Sequence, residues 1–334
     1  MPPDALCADN LTKVFFPERG LRFWRVEHKP KLAVDQVTIS APRGRITGLL
    51  GVNGAGKTTT IKMLATLLRP TSGLVSIDGL DATHRPELVR PIVNMIAGGD
   101  RALYPRLTAR ENLWYFGQLY NVEPRTLAAR IERLLRLVEL TDRADTLVEQ
   151  LSKGMKQRLQ IARGLINAPR YLLLDEPTLG LDAPIARQLR RMTRDLASVE
   201  GCGILLTSHY MSEIEELCEY IYVIHQGRIV AEGSVAHIRG LGASGHAARV
   251  EVATTSGASI PLELLSQQAA ERGISVSVQV ADGQATLTAS GPAGLTPTVV
   301  ELCAQAGYPV LHAESIEPSL EDALVALTAQ GGEA

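Results

Sequence analysis

The segment Gly51-Val52-Asn53-Gly54-Ala55-Gly56-Lys57-Thr58 fits the spacing G-x-x-x-x-G-K-[ST], a loop built to cradle phosphate. Gly51, Gly54 and Gly56 let the backbone close around an anion where side chains would collide with it. Asn53, Ala55 and Thr59 belong to the same cradle. Lys57 offers a point charge to the outer phosphates of a nucleoside triphosphate, and the Thr58 hydroxyl offers a ligand to magnesium. A second chemically capable pair, Asp175 and Glu176, ends the apolar run Tyr171-Leu172-Leu173-Leu174. Asp175 can hold the magnesium, directly or through water, and Glu176 can orient or deprotonate an attacking water.

Residues 45–50 read as a short buried strand, and residues 59–68 carry apolar side chains at helical spacing before Pro70. A loop at such a junction presents unpaired backbone N–H groups backed by the positive end of the helix dipole. The run at 171–174 is too apolar for an exposed strand and belongs inside a sheet covered on both faces. Its C-terminal end is where an α/β sheet places ligand-contacting groups. The bland alternatives are a glycine-rich turn and two carboxylates capping the turn before Pro177. Both features together in one chain argue against them.

With Leu151-Ser152-Lys153-Gly154-Met155-Lys156-Gln157, Leu179-Gly180-Leu181-Asp182 and Thr207-Ser208-His209, these residues resemble the ordered motif set of ABC-type ATPase cassettes, across residues 5–240. The resemblance implies an α/β fold: a P-loop ABC ATPase cassette with a RecA-like α/β core, a β-subdomain, and a helical subdomain at residues 100–168. It implies ATP and Mg2+ as cofactors, and a second copy of the cassette as partner, facing the first head to tail. Ser152 and Gly154 of one copy would then meet the γ-phosphate held by the other. The apolar side of the helix that follows them carries Met155, Leu159, Ile161, Ala162 and Leu165. His209 would contact the γ-phosphate, Glu176 would act as the base, and Asp182 would communicate between the two sites.

Two positions depart from the family pattern. A glutamine is expected after a strand at residues 92–96, and Gly98 or Gly99 stands in its place; Asp100 is the neighbouring carboxylate, and Gln118 falls inside the following helix. An adenine-stacking aromatic is expected after Leu11-Thr12-Lys13, where Phe15 fits best and Phe16 is the alternate. Both phenylalanines could instead be core residues of an early strand.

The chain has 334 residues, enough for two domains, and no uninterrupted apolar run approaches the ~18 residues of a membrane span. The N-terminus lacks the pattern of a secretory signal, and four scattered cysteines read as reduced thiols. A net charge of −2 argues against a general nucleic-acid binder. From residue 246 onward, however, two basic residues face ten acidic ones, against 32 and 26 in the remainder. That asymmetry predicts a boundary, with a cassette at residues 1–240, a linker at Gly240-Leu241-Gly242-Ala243-Ser244-Gly245, and an accessory domain at residues 246–334.

The accessory domain reads strand-helix-strand-strand-helix-strand, the order of a small α+β ferredoxin-like domain, followed by a helix opening at Ser319-Leu320-Glu321-Asp322. With Glu317-Pro318 before it, this ending is similar to the tails of cassettes that serve ABC-2-type exporters. Dimerisation or docking is the expected task of this domain. Residues 17–31 mix five basic side chains with Phe23 and Trp24, which suits either an anionic lipid surface or a solvated hairpin. The expected function is the ATP-hydrolysing subunit of an exporter, peripheral at the cytoplasmic face of the cell membrane, acting on separate integral-membrane permease subunits. The alternatives are an importer cassette with a regulatory domain, or an ABC ATPase acting on ribosomes or nucleic acid.

Overall fold

The computed structural model describes residues 4–16, 29–97, 103–241, 246–254, 261–281, 283–291, 294–316 and 319–330. The chain divides into two compact units, Met1–Val235 and Ala236–Ala334.

The first unit opens with a long hairpin-like pair, β1 (Ala5–Phe15) and β2 (Lys31–Pro42). β3 (Ile46–Leu50) follows and is buried at every position. The phosphate-type loop then leads into α1 (Lys57–Leu64), β4 (Ser72–Ile77), β5 (Leu80–Asp81), the single turn α2 (Pro86–Val89) and β6 (Val93–Ala97). β1, β2, β4 and β5 form a separate antiparallel sheet. Leu6, Leu11 and Ile39 from that sheet join Leu49, Ile61 and Leu64 in one core.

Three helices, α3 (Ala109–Leu119), α4 (Pro124–Leu137) and α5 (Lys153–Gly164), fill the interval before β7 (Tyr171–Asp175). α3 starts where a reciprocal capping box forms: Thr108 Oγ1 accepts from Glu111 N at 3.1 Å, and the Glu111 carboxylate accepts from Thr108 N at 2.8 Å. α6 (Ala183–Ser198), β8 (Gly203–Thr207), α7 (Met211–Leu217), β9 (Tyr220–His225) and β10 (Arg228–Gly233) complete the unit. The central sheet runs β10-β9-β3-β8-β7-β6, with every neighbouring pair parallel except β9 and β10. β3, β7 and β8 are wholly buried, as continuous apolar runs in a parallel sheet require. No helix among the described residues is long and apolar enough to cross a membrane.

The second unit begins in α8 (Val235–Leu241), which spans the division, and continues with β11 (His246–Ala253), α9 (Leu262–Glu271), β12 (Ser275–Ala281), β13 (Gln284–Gly291), α10 (Leu295–Gln305), β14 (Val310–Ile316) and α11 (Leu320–Gln330). Its sheet runs β12-β13-β11-β14, all antiparallel. Counted within the unit, the strand order is 2-3-1-4 in a βαββαβ chain, the split βαβ plan expected from the sequence. Val250, Leu265, Leu287, Val299 and Leu302 build a core of its own. Ser319 caps α11, with its Oγ accepting from Asp322 N at 3.1 Å while Asp322 Oδ2 accepts from Ser319 N at 3.2 Å.

Four sequence expectations need correction or lie elsewhere. The helix expected at residues 59–68 is α1, which starts at Lys57 and ends at Leu64. Thr66 turns into the left-handed region at φ 59°, and Leu67 is left 69% exposed. Gly240 and Leu241 belong to α8 rather than to a linker. Neither Phe15 nor Phe16 is a core residue, because both are exposed at the end of β1. Residues 17–28 of the insertion at 17–31, the positions Gly98, Gly99 and Asp100, residues 242–245, and Glu317 and Pro318 lie outside the described residues.

Candidate active site

Parallel pairing sends β3, β8 and β7 to one edge of the sheet with their C-terminal ends aligned, and β8 lies between the other two. The loop of residues 51–56 leaves β3, Asp175 ends β7, and His209 follows β8. Three segments that are distant in sequence therefore converge at one edge.

Thr207, the last residue of β8, joins them. Its hydroxyl donates to Asp175 Oδ1 at 2.7 Å and accepts from Glu176 N at 3.2 Å. Thr58 Oγ1, in the first turn of α1, donates to the same Asp175 oxygen at 3.3 Å. The loop after β3 and the end of β7 thus share a carboxylate. Thr58 and Asp175 are hard oxygen donors, the set that suits Mg2+ with phosphate and water oxygens completing the shell. Among the described residues, no cluster of three His, Cys, Asp or Glu forms a protein-only metal cage.

Glu176 adopts φ 52°, a conformation that costs a non-glycine residue of order 1 kcal/mol. Two hydrogen bonds hold it there, from its N–H to Thr207 O at 3.0 Å and to Thr207 Oγ1. The turn aims its carboxylate at His209, with Oε2 3.3 Å from Nδ1. The His209 ring leans on Tyr210, with centroids 4.0 Å apart.

Lys57 is buried, and its Nζ donates to Gly51 O at 2.7 Å and Val52 O at 3.2 Å, curling the side chain over its own loop. Burial pushes its pKa down, opposed by the charges of Glu176 and Asp175. Gly56 takes φ 111°, which only glycine adopts without strain, and a side chain at Gly51 would collide with the Ile224 carbonyl. Gly227, in the turn between β9 and β10, donates its N–H to Ala55 O at 2.8 Å and braces the loop from behind. Asn53, Gly54 and Thr58 are exposed, Thr59 is half-buried and Ala55 is buried.

The remaining sequence-selected residues occupy other places. Ser152 caps α5, accepting from Met155 N at 3.2 Å, and Asp182 caps α6, accepting from Ile185 N at 3.0 Å. Gly154 packs under Ile185 of α6. Among the described residues, no hydrogen bond or ion pair joins Ser152, Gly154 or Asp182 to residues 51–58, Asp175, Glu176 or His209 of the same chain. Phe15 ends β1 41% exposed, with Lys13 Nζ 5.3 Å from its ring centroid.

Sequence reasoning passed over three contributors. Thr207 entered only as a motif letter, although it joins both carboxylate residues. Gln157 is buried on α5, and its Nε2 donates to Pro177 O at 2.9 Å, next to Glu176. Glu213 hides in the acidic run Glu213-Ile214-Glu215-Glu216, which reads as a solvated face. Only the packing of α7 shows that it is buried.

The phosphate loop, the strand-end carboxylate and the parallel sheet together define a nucleotide-hydrolysing α/β protein. A family model described as ABC transporter matches residues 34–179. The chain is 39% identical over 213 residues to the ABC transporter ATP-binding protein NatA of Bacillus subtilis (strain 168), covering 63% of this chain and 86% of that protein. It is 41% identical over 220 residues to the Nod factor export ATP-binding protein I of Burkholderia lata, covering 65% and 72%. A solved structure of an ATP-binding subunit of an ABC transporter aligns with TM-score 0.58 at 30% identity, over 70% of this chain and 92% of that one. A dimeric, post-hydrolysis ATP-binding cassette bound to ADP and Pi shares the fold, with TM-score 0.61 at 24% identity, over 69% of this chain and 98% of that one. The chain belongs to the ABC transporter ATP-binding proteins: it is an ATP-binding cassette of a transporter, and an ATPase.

Proposed function

We propose that the chain hydrolyses ATP as one half of a head-to-tail pair and drives export through separate ABC-2-type permease subunits, docked at the cytoplasmic face of the membrane. The observation that carries the chemistry is the Glu176 carboxylate, held 3.3 Å from His209 at the edge where Thr58 and Asp175 meet. The names of the relatives that act in Nod factor export support the direction of transport. The dimeric cassette of the same fold supports the pairing.

In this reading the triphosphate lies in the loop of residues 51–58, with its charge met by backbone N–H groups and by Lys57. Phe15 offers its exposed ring to the adenine. Bound magnesium, held by Thr58 and Asp175, would supply charge neutralisation for the phosphate oxygens. Glu176 takes a proton from the attacking water while His209 contacts the γ-phosphate and distinguishes ATP from ADP. Ser152 and the N-terminus of α5 reach the γ-phosphate of the opposite copy, which explains why the same chain does not use them at its own site. Asp182 links the two sites. ATP binding closes the pair, and hydrolysis releases it.

Glu176→Gln removes the base while preserving the size of the side chain. The expected result is unchanged ATP binding with turnover reduced at least ~100-fold, measured by nucleotide titration and phosphate release. Wild-type turnover in that variant would sink the assignment of the base.

A further inference from the structure

Glu213 is a buried carboxylate that the chemistry above leaves unused. It lies in the first turn of α7 and is 1% exposed. Its Oε2 accepts a hydrogen bond from the Thr178 hydroxyl at 3.1 Å, and its N–H donates to Tyr210 O at 3.1 Å. Ser208 Oγ accepts from Tyr210 N at 3.0 Å, bracing the turn that carries His209. Thr178 and Ser208 are both buried.

The two partners of Glu213 lie on different loops. Thr178 is two residues past Glu176 on the segment leaving β7, and Tyr210 immediately follows His209 on the segment leaving β8. The β7–β8 ladder ends at the pair Asp175 and Thr207, and the last backbone bond between the two chains runs from Glu176 N to Thr207 O. Beyond that point the backbone no longer fixes one loop against the other. Glu213, bonded to Thr178 through its carboxylate and to Tyr210 through its N–H, takes over where the ladder stops.

The burial is unfavourable in itself. It pushes the Glu213 pKa up, with Glu216 adding to the rise, while the Ser208 and Thr178 hydroxyls and the charge of Arg190 on α6 oppose it. An apolar side chain would fill the same space without that cost. Besides the contact between the two functional side chains themselves, Glu176 Oε2 and His209 Nδ1, the Glu176 loop is also held by Gln157 Nε2 at Pro177 O, a tether that comes from α5 and does not reach His209.

We propose that Glu213 is a positioning residue, tying the Glu176 loop to the His209 loop so that the base and the γ-phosphate contact stay in register. The proposal rests on the roles given to Glu176 and His209 under Proposed function.

The test measures steady-state ATPase kinetics of the full chain in Thr178→Val, Glu213→Ala, the double variant and Glu213→Gln, with Glu176→Gln as reference. Thr178→Val and Glu213→Ala should each lower kcat about 10- to 100-fold with KM for ATP within about 3-fold of wild type. The double variant should be no worse than the poorer single variant, because both cut the same tie. Glu213→Gln keeps an acceptor oxygen and should recover kcat to within about 3-fold of wild type. If Glu213→Ala does not fold, near-isosteric Thr178→Val and the recovery in Glu213→Gln decide the matter. Wild-type kcat in Thr178→Val, losses that multiply in the double variant, or no recovery in Glu213→Gln would overturn the proposal, provided Glu176→Gln is inactive. An active Glu176→Gln would overturn the base assignment instead.

Discussion

Asp175 takes hydrogen bonds from two threonines that arrive from different directions, Thr207 at the end of the neighbouring strand and Thr58 at the start of α1. A hydroxyl bonded to a carboxylate is stronger than a neutral pair, so the two loops are held even before a ligand binds. Glu213 shows the opposite balance, since its charge is placed where burial disfavours it. The sign of the resulting pH dependence follows from linkage. A raised carboxyl pKa means that the folded chain binds more protons than the unfolded one, so stability falls as pH rises from the ordinary glutamate value through the folded value. Glu213→Gln removes that penalty. Its urea midpoint should exceed that of wild type at neutral pH, and the gap should close below the ordinary glutamate value; an equal midpoint at neutral pH would refute the assignment. Asp175 and Glu176 were legible because two carboxylates end an apolar run. Glu213 was not, because an acidic helix turn reads the same in sequence whether it faces water or the interior.

The strands β3 and β7 were readable to within a residue, since unbroken apolar runs leave few choices of register or burial. α1 was not. Its apolar spacing continues through Leu67 and Leu68, but the chain leaves the helix when Thr66 turns left-handed. Hydrophobic periodicity cannot register a single dihedral. A helix start was clearer where a capping group announces it, as at Ser319 for α11. The loop between β3 and α1 also depends on an element far along the chain, because β9 runs directly behind Gly51. Gly51→Ala would push a methyl group into the Ile224 carbonyl, a backbone atom that cannot rotate away. Overpacking of that kind costs about 1–3 kcal/mol. A lower thermal midpoint together with weakened ATP binding is expected, and a variant with wild-type values of both would contradict the described register of β3 against β9.

The charge asymmetry between the two parts of the chain reflects two units with separate cores, Met1–Val235 and Ala236–Ala334. The second unit was legible in outline from its alternating strands, and its sheet order follows the expected plan. The exposed face of that sheet carries Arg249, Glu251, Thr286, Thr288, His312 and Glu314, with Arg249 and Glu314 paired at 3.1 Å. In the first unit, the residues that one chain brings together are the phosphate loop, Asp175, Glu176 and His209, while Ser152 and Gly154 stay apart from them. A site completed by a second copy should survive the loss of opposite halves in two different chains. Lys57→Ala disables the phosphate loop but leaves Ser152 and Gly154 intact. Ser152→Arg blocks the exposed cap of α5 but leaves the phosphate loop intact. Each variant alone should be inactive, whereas the two co-expressed should form mixed pairs in which one site has both halves. Phosphate release by the co-expressed variants, above the sum of the two alone, is the predicted result. No activity beyond that sum, from chains shown to associate, would contradict the head-to-tail site.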